Sequence, residues 1–477
     1  MQGGKGVPRL RPLRAVIGLA ASLLVLATAA PADATQVKLV RDINGSSRAA
    51  DGPESLTKVG GKLFFSAWNR RHGRELWRSD GARRGTKIVR DIVPGRGSSD
   101  PTELTNVAGT LFFSAENERH GRELWRSDGT RKGTRLVRDI GPDGRGSGPD
   151  EIAGVGRTVF FTYRDATHGR ELWRSDGTRS GTRLVRDIKP GSGSMINKWR
   201  SAELTNVGGT LFFVADDGTH GYELWRSDGT RKGTKLVRDI HPGGGKSDPH
   251  ELTNVAGTLF FSASDGDNAH GVELWRSGGT AAETTLVRDI NRTQPGFFGA
   301  GSSSPAWLTN VNGMLYFSAD DGAHGPELWR SDGTAAGTAL VREIVPPSVC
   351  CGPESLTNVE GELYFVADDG THASELWRSD GTAAGTTLVR DIWPGDFSSF
   401  PDGLTDVNGT LYFDADDGAH GRELWRSDGT YTGTRLVDDI NPGDGGSNPR
   451  DLTDVGGTLF FVANDVTHGL ELWKAMP

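Results

Sequence analysis

Between Leu104 and Ile140 the chain reads LTNVAGTLFFSAENERHGRELWRSDGTRKGTRLVRDI, in which short β-branched or aromatic runs alternate with Gly, Asn and Asp. Runs this short, closed by turn formers, predict strands rather than helices. Four are expected here: strand a (Glu103–Val107), strand b (Thr110–Ala115), strand c (Arg122–Ser127) and strand d (Thr134–Ile140). In strand b the triplet Leu111-Phe112-Phe113 is apolar on both faces, so both faces need cover. A sheet stacked between two neighbouring sheets supplies it.

The same unit returns along the whole chain. Glu-Leu-Trp occurs nine times, with its Trp at intervals of 48, 48, 52, 50, 54, 48, 48 and 48 residues from Trp77 to Trp473. Four strands in a repeat of that length match a propeller blade. The phase of the ends points the same way: Val37–Ile43 reads as a strand d, and the chain stops just after the strand c of Glu471-Leu472-Trp473-Lys474. The N-terminal strand, 37–43, is therefore expected to complete the last blade. The fold predicted is all-β, a single β-propeller of nine four-stranded blades over residues 35–477. Two smaller rings, with their seam in 291–305, or an open repeat array are the alternatives.

Ahead of this lies a different pattern. Lys5, Arg9, Arg11 and Arg14 precede an apolar stretch from Ala15 to Ala30 and the small-x-small site Ala32-Asp33-Ala34. That is the layout of a secretory signal peptide over 1–34, cleaved near Ala34, and it predicts a protein secreted to the periplasm or beyond. No later segment approaches the roughly 20 apolar residues of a membrane span. Removing 1–34 takes four of the 54 Lys and Arg and one of the 62 Asp and Glu, leaving 50 against 61, a net charge of −11. With Lys and Arg spread along the chain, that balance argues against a nucleic-acid partner, which requires clustered cations. The partner expected is an extracellular protein or glycan.

The tandem ELWRSDGT, followed by GT, LVRDI and LTNV, resembles the bacterial ELWxxDGT repeat family, and the resemblance covers essentially everything after residue 34. It implies an extracellular, propeller-like repeat protein without an assigned activity. One copy departs from it, with Gly278 in place of Asp in Ser277-Gly278-Gly279-Thr280. The turn Ser127-Asp128-Gly129-Thr130 with Gly133-Thr134 is also similar to the Asp box of sialidase-type propellers. The Arg-Ile-Pro segment that commonly accompanies sialidase chemistry is absent from this sequence.

Residues present once per blade are read as structure. The nine Trp belong between sheets. Glu75 and its equivalents pair with an Arg or accept turn N–H bonds. Nine of the eleven histidines, His72 to His468, precede strand c and bond a nearby carboxylate or backbone group. Asp-Asp-Gly turns such as Asp216-Asp217-Gly218 read as turn chemistry. No cofactor is expected, calcium being the alternative, although two adjacent carboxylates fall short of its roughly six to eight oxygen ligands.

A binding site should instead break the symmetry. The three long intervals place extra residues at Met195–Trp199, Asp265–His270 and Asn291–Pro305. Since strands alternate in direction, b–c turns and d–a loops share one face. On that face lie the non-repeat aromatics Trp199, Phe297, Phe298, Trp307 and Trp393, with Phe397 and Phe400, which read as ligand-binding unless they fold back to plug the ring. Cys350 and Cys351 occupy the d–a loop between blades 6 and 7 and, as the only cysteines, are expected to form a strained vicinal disulfide. The function read from this pattern is a secreted binding or adhesion module. An extracellular polysaccharide-acting enzyme with its site at the channel mouth, or a purely structural envelope protein, are the rivals; no acid–base or nucleophile spacing favours an enzyme.

Overall fold

The computed structural model describes residues 1, 3–4, 35–45, 52–141, 147–266, 270–293, 301–346, 349 and 351–476, with Ser147 by its backbone alone. The fold is that of the unit Thr35–Pro477.

The described strands form nine antiparallel sheets of four, arranged as a nine-bladed β-propeller. Blade 2 runs Thr102–Val107, Thr110–Asn117, Gly121–Ser127 and Arg135–Arg138, each hydrogen-bonded to the next. Strand a of each blade lies against strand a of the next, which makes it the innermost strand of the ring. Strand d is the outermost. Strand d is shorter than the sequence pattern suggests, because Ile140 and Gly141 turn away to bond a buried Glu123.

Strand b explains the stacking. Leu111 and Phe113 are fully buried against Phe64 and Leu76 of blade 1, while Phe112 faces the other way, against Val159, Phe161 and Trp173 of blade 3. Consecutive side chains point to opposite faces, so an apolar run without alternation must be sandwiched. Each Trp of strand c packs on the preceding blade, Trp125 against blade 1 and Trp173 against blade 2. Above seven of the nine sits the last Arg of the preceding strand d: Arg90 lies 5.8 Å from the Trp125 ring centroid and donates to the carbonyl of Thr134 at 2.6 Å. Guanidinium-on-indole contacts of this kind tie the outer edges of the blades together.

Closure uses the same parts. Gln36–Arg41 pairs with Gly469–Met476 and becomes strand d of blade 9, with Leu39 opposite Trp473. Arg41 then lies 5.7 Å from the Trp77 centroid and bonds the carbonyl of Thr86, as Arg90 does one blade on. Lys58 adds an ion pair to Asp454 at 2.7 Å across the seam.

Every strand c also contributes a fully buried Glu. Glu75 accepts the backbone N–H groups of Ile92 and Val93 and the Ser99 hydroxyl, at 3.1, 3.0 and 2.7 Å. These groups belong to the loop leaving strand d, so the carboxylate organises the turn to the next blade; among the described residues its bonds go to that loop and not to an Arg. Burial pushes the Glu75 carboxyl up to about 7, against the pull of those three bonds. At the first insertion Met195 and Ile196 turn inward and are fully buried in the core between blades 3 and 4. There Met195 N–H takes the place of a Ser N–H on Glu171, at 3.1 Å.

Candidate ligand pocket at the channel mouth

At the start of strand a every blade but the fourth shows a bulge in its pairing with strand b, and in the fourth Glu203 keeps the same left-handed backbone. In blade 2, Thr102 faces Ser114 but Thr105 faces Phe112, leaving one extra residue, Glu103, at φ 56°. A bulge re-aims the side chain it inserts, and being on the innermost strand it aims it at the mouth of the channel. Blades 2 to 5 place Glu103, Glu151, Glu203 and Glu251 there, all at φ between 53° and 60°. Three of these reach the next blade: Glu151 accepts from Ala202 N–H at 2.7 Å, Glu203 from Leu252 at 3.4 Å and Glu251 from Leu308 at 3.2 Å. Asp451 of blade 9 does the same for Ser55 at 3.1 Å.

The ring is interrupted in blade 1, by Ser55 at φ 57°, and over blades 6 to 8. The latter three carry Trp307, Ser355 and Gly403 at the bulge, at φ 59°, 55° and 65°. A cavity of about 790 Å³ opens there, lined by Trp307, Ser355, Phe400, Asp402, Asp414 and Arg422 together with Asn448, Arg450 and Asp451. A second hollow of about 380 Å³ shares Trp307, Ser355, Asp402 and Asp451 and continues along strand a to Thr357 and Thr405. Trp307 is 46 % exposed and Phe400 57 %, so the cavity has aromatic walls open to solvent.

Its floor is polar and also breaks the repeat. Asp414 stands in strand b of blade 8, where blade 2 has Ser114 and blade 9 has Val462. Arg422 donates to its Oδ2 through Nε at 2.8 Å and Nη2 at 2.5 Å, and Nη2 also reaches the carbonyl of Phe400 at 2.9 Å. Burial pushes the Asp414 carboxyl up to about 6; Arg422 opposes the shift and Asp402, paired opposite in the sheet, adds to it. The pair thus positions Phe400 as well as occupying the floor.

Of the residues expected to bind, Trp307 lines this cavity. Trp393 stacks on Phe397 at 5.1 Å in the loop between blades 7 and 8, and a Cβ on Gly418 would fall 2.6 Å from its indole, so it braces the adjacent b–c turn. Trp199 is 83 % exposed between blades 3 and 4, with the Lys198 ammonium 4.3 Å from its ring centroid. Phe297, Phe298 and Cys350 lie outside the described residues, and Cys351 is exposed. Phe400, one of the loop aromatics expected on this face, also lines the cavity, whereas Asp414 reaches it from strand b of blade 8, which no local motif signals.

The histidines bond turn carboxylates. His220 Nδ1 lies 2.9 Å from Asp217, whose other oxygen accepts the His220 N–H at 3.0 Å. The pair raises the imidazole and lowers the carboxyl. In blades 1 and 2 Asn69 and Asn117 stand in for that Asp. Among the described residues no group of three or more His, Cys, Asp or Glu side chains gathers as a metal-binding set.

No family model and no curated protein matches the chain. Among solved structures it is similar to a puromycin hydrolase, at 14 % identity over 89 % of this chain and 60 % of that one, with a TM-score of 0.36. A prolyl endopeptidase matches at 13 % identity over 76 % and 54 %, TM-score 0.40, and a Mycobacterium tuberculosis puromycin-hydrolysing peptidase at 10 % over 88 % and 59 %, TM-score 0.41. The chain spans about 60 % or less of the length of each. Overlaps this loose carry no argument about activity.

Proposed function

We propose that the chain is a secreted binding module of the ELWxxDGT repeat type, freed of residues 1–34 by signal cleavage, and that it holds a glycan at the mouth of its channel over blades 6 to 9. The observation that carries this reading is the cavity that opens where three successive blades bring Trp307, Ser355 and Gly403 to the bulge, with Trp307 and Phe400 as its aromatic walls. Sugars present apolar C–H faces and polar hydroxyl edges. Trp307 and Phe400 offer faces for the first, and Asp402, Asn448 and Asp451 offer acceptors and donors for the second.

A glycan-array screen of the chain from Thr35 onward tests it. Binding to a defined glycan class that is lost in Trp307→Ala supports the reading, and binding that survives that change overturns it. Asp414 favours one rival, because a carboxyl held near 6 in a channel-mouth cavity suits a general acid. Release of reducing ends from a polysaccharide, abolished by Asp414→Asn, would establish that enzyme instead.

A further inference from the structure

The exposed cations of this acidic chain are not evenly placed once the ring is formed. In the c–d turns of blades 1, 2 and 4 the two residues before the closing Gly-Thr are Arg83-Arg84, Arg131-Lys132 and Arg231-Lys232, and blade 3 has Arg179 there; all are exposed. Blades 5 to 7 carry Ala-Ala at the same positions, as at Ala335-Ala336. The first residue of strand d follows suit. It is Lys87, Arg135, Arg183 and Lys235 in blades 1 to 4, and Thr285, Ala339 and Thr387 in blades 5 to 7.

Among the described residues none of these cations has an ion-pair partner. The carboxylate within each of the four turns is engaged locally, Asp128 Oδ1 accepting from both N–H and Oγ1 of Thr130. The repeat's own arginines, such as Arg90, are used between blades. Those in the turns are left over.

Grooves open between the outer strands of the same blades, reaching from the start of strand d to the d–a loop and b–c turn at the opposite end from the c–d turns. One of about 690 Å³ separates blades 1 and 2 and is lined by Arg90, Arg119, His120, Trp125 and Arg135, with Glu118 as its one carboxylate. Its counterpart between blades 9 and 1, about 450 Å³, has Arg41, Arg70, Arg71, His72 and Lys87, with Asp42 as the one carboxylate. The indole N–H of the wall, Trp125 or Trp77, is buried without an acceptor among the described residues, as it is in every blade but the ninth.

We propose that the outer wall of blades 1 to 4 is a second binding surface, for a linear acidic polysaccharide. Its carboxylate or sulfate groups would lie along the turn cations and dip into the two grooves. Arg predominates over Lys, which suits planar, bidentate oxyanions. Four of nine blades, 4/9 of 360°, make an arc of about 160° on a convex wall. A flexible chain follows such an arc, whereas duplex DNA, stiff over about 50 nm, touches it only in part. Single-stranded nucleic acid wants stacking aromatics along its track, and a bilayer wants apolar side chains to insert. The large apolar side chains exposed among the described residues, including Trp199, Trp307, Phe400 and Tyr431, are not in these turns.

The test uses the chain from Thr35 onward with polygalacturonate and heparin as probes and dextran as the neutral control, titrated at low and moderate salt. Arg83→Ala/Arg84→Ala/Arg131→Ala/Lys132→Ala installs the doublet that blades 6 and 7 already carry, so the turns should still fold, which a thermal melt checks. Affinity for at least one acidic polymer should fall about tenfold or more, with a shallower salt dependence. The reverse change in the adjoining blade 5, Ala281→Arg/Ala282→Lys, should extend the arc and tighten binding. Trp307→Ala should leave it unchanged, which separates this surface from the channel-mouth pocket. Unchanged affinity in the fourfold alanine variant, equal binding of dextran, or binding of duplex DNA or anionic vesicles in place of the polysaccharides would overturn the proposal.

Discussion

The carboxylate of Glu471 accepts the backbone N–H of Asn44 at 3.0 Å, across 427 positions of sequence. It takes the Ile43 N–H as well, at 3.0 Å, and Asn44 Nδ2 returns a bond to the carbonyl of Leu470 at 3.1 Å. The two ends of the chain are thereby fixed by the device that organises every other blade, and the seam can be tested directly.

Deleting 35–45 should leave strand c of blade 9 as an open edge and expose Phe65 and Trp77, which pack under Val40 and Ile43. Such edges template association. The expected outcome is aggregation or a large fall in melting temperature, read by size-exclusion chromatography and a thermal melt. A truncated chain that stays monomeric and equally stable would show that the ring does not depend on this strand.

The buried glutamates set a pH dependence. Burial lifts Glu75 to about 7 and Glu171 and Glu471 to about 8, from an ordinary 4.5. The folded state then holds protons that the unfolded state has released, so this contribution is complete below about 4.5 and is lost as pH rises through 7 to 8. His220, raised by its bond to Asp217, acts in the same direction; Asp217 itself, lowered, loses its contribution only below its ordinary 3.8. The urea midpoint should be higher at pH 5 than at pH 8. A midpoint that climbs toward pH 8 would refute this account.

Two tryptophans should respond in opposite ways. Trp125, 4 % exposed between blades, should cost about 3–5 kcal/mol on replacement by Ala. Trp307→Ala should change stability little and remove glycan binding. Chemical denaturation alongside the binding titration distinguishes them, and a large stability loss in Trp307→Ala would make that residue part of the core.

Gly129 sits at φ 84°, and a Cβ there would meet the Phe64 ring of blade 1 at 2.9 Å. Gly129→Ala therefore combines a left-handed backbone with a clash between blades. The expected cost is about 1–3 kcal/mol, above the change from propensity alone. An unchanged denaturation midpoint would contradict it.

The blade and the ring were legible because Leu111-Phe112-Phe113 admits no exposed face and Val37–Ile43 repeats strand d out of phase. The pocket was not. Trp307 reads as a loop aromatic and Asp414 as one more acid in a turn-rich repeat, and they share a cavity only because closure brings blades 6 to 9 around the channel. Met195 and Ile196 looked like surface decoration because a length change marks a loop; their apolar side chains instead fill the space beside Glu171. The basic arc was hidden for the opposite reason. Arginines of the repeat and arginines of the turns look alike in sequence until the first are seen lying on tryptophans.

The bond between Glu471 and Asn44 makes the polymer's start and finish a matter of genetics rather than of architecture. The break falls where the other blades make a c–d turn, and the same bond recurs in their d–a loops, as from Ile92 and Val93 to Glu75. A gene reopened between Gly191 and Ser194, with the present ends fused through a short linker, should encode the same object, its former terminus now an ordinary bend.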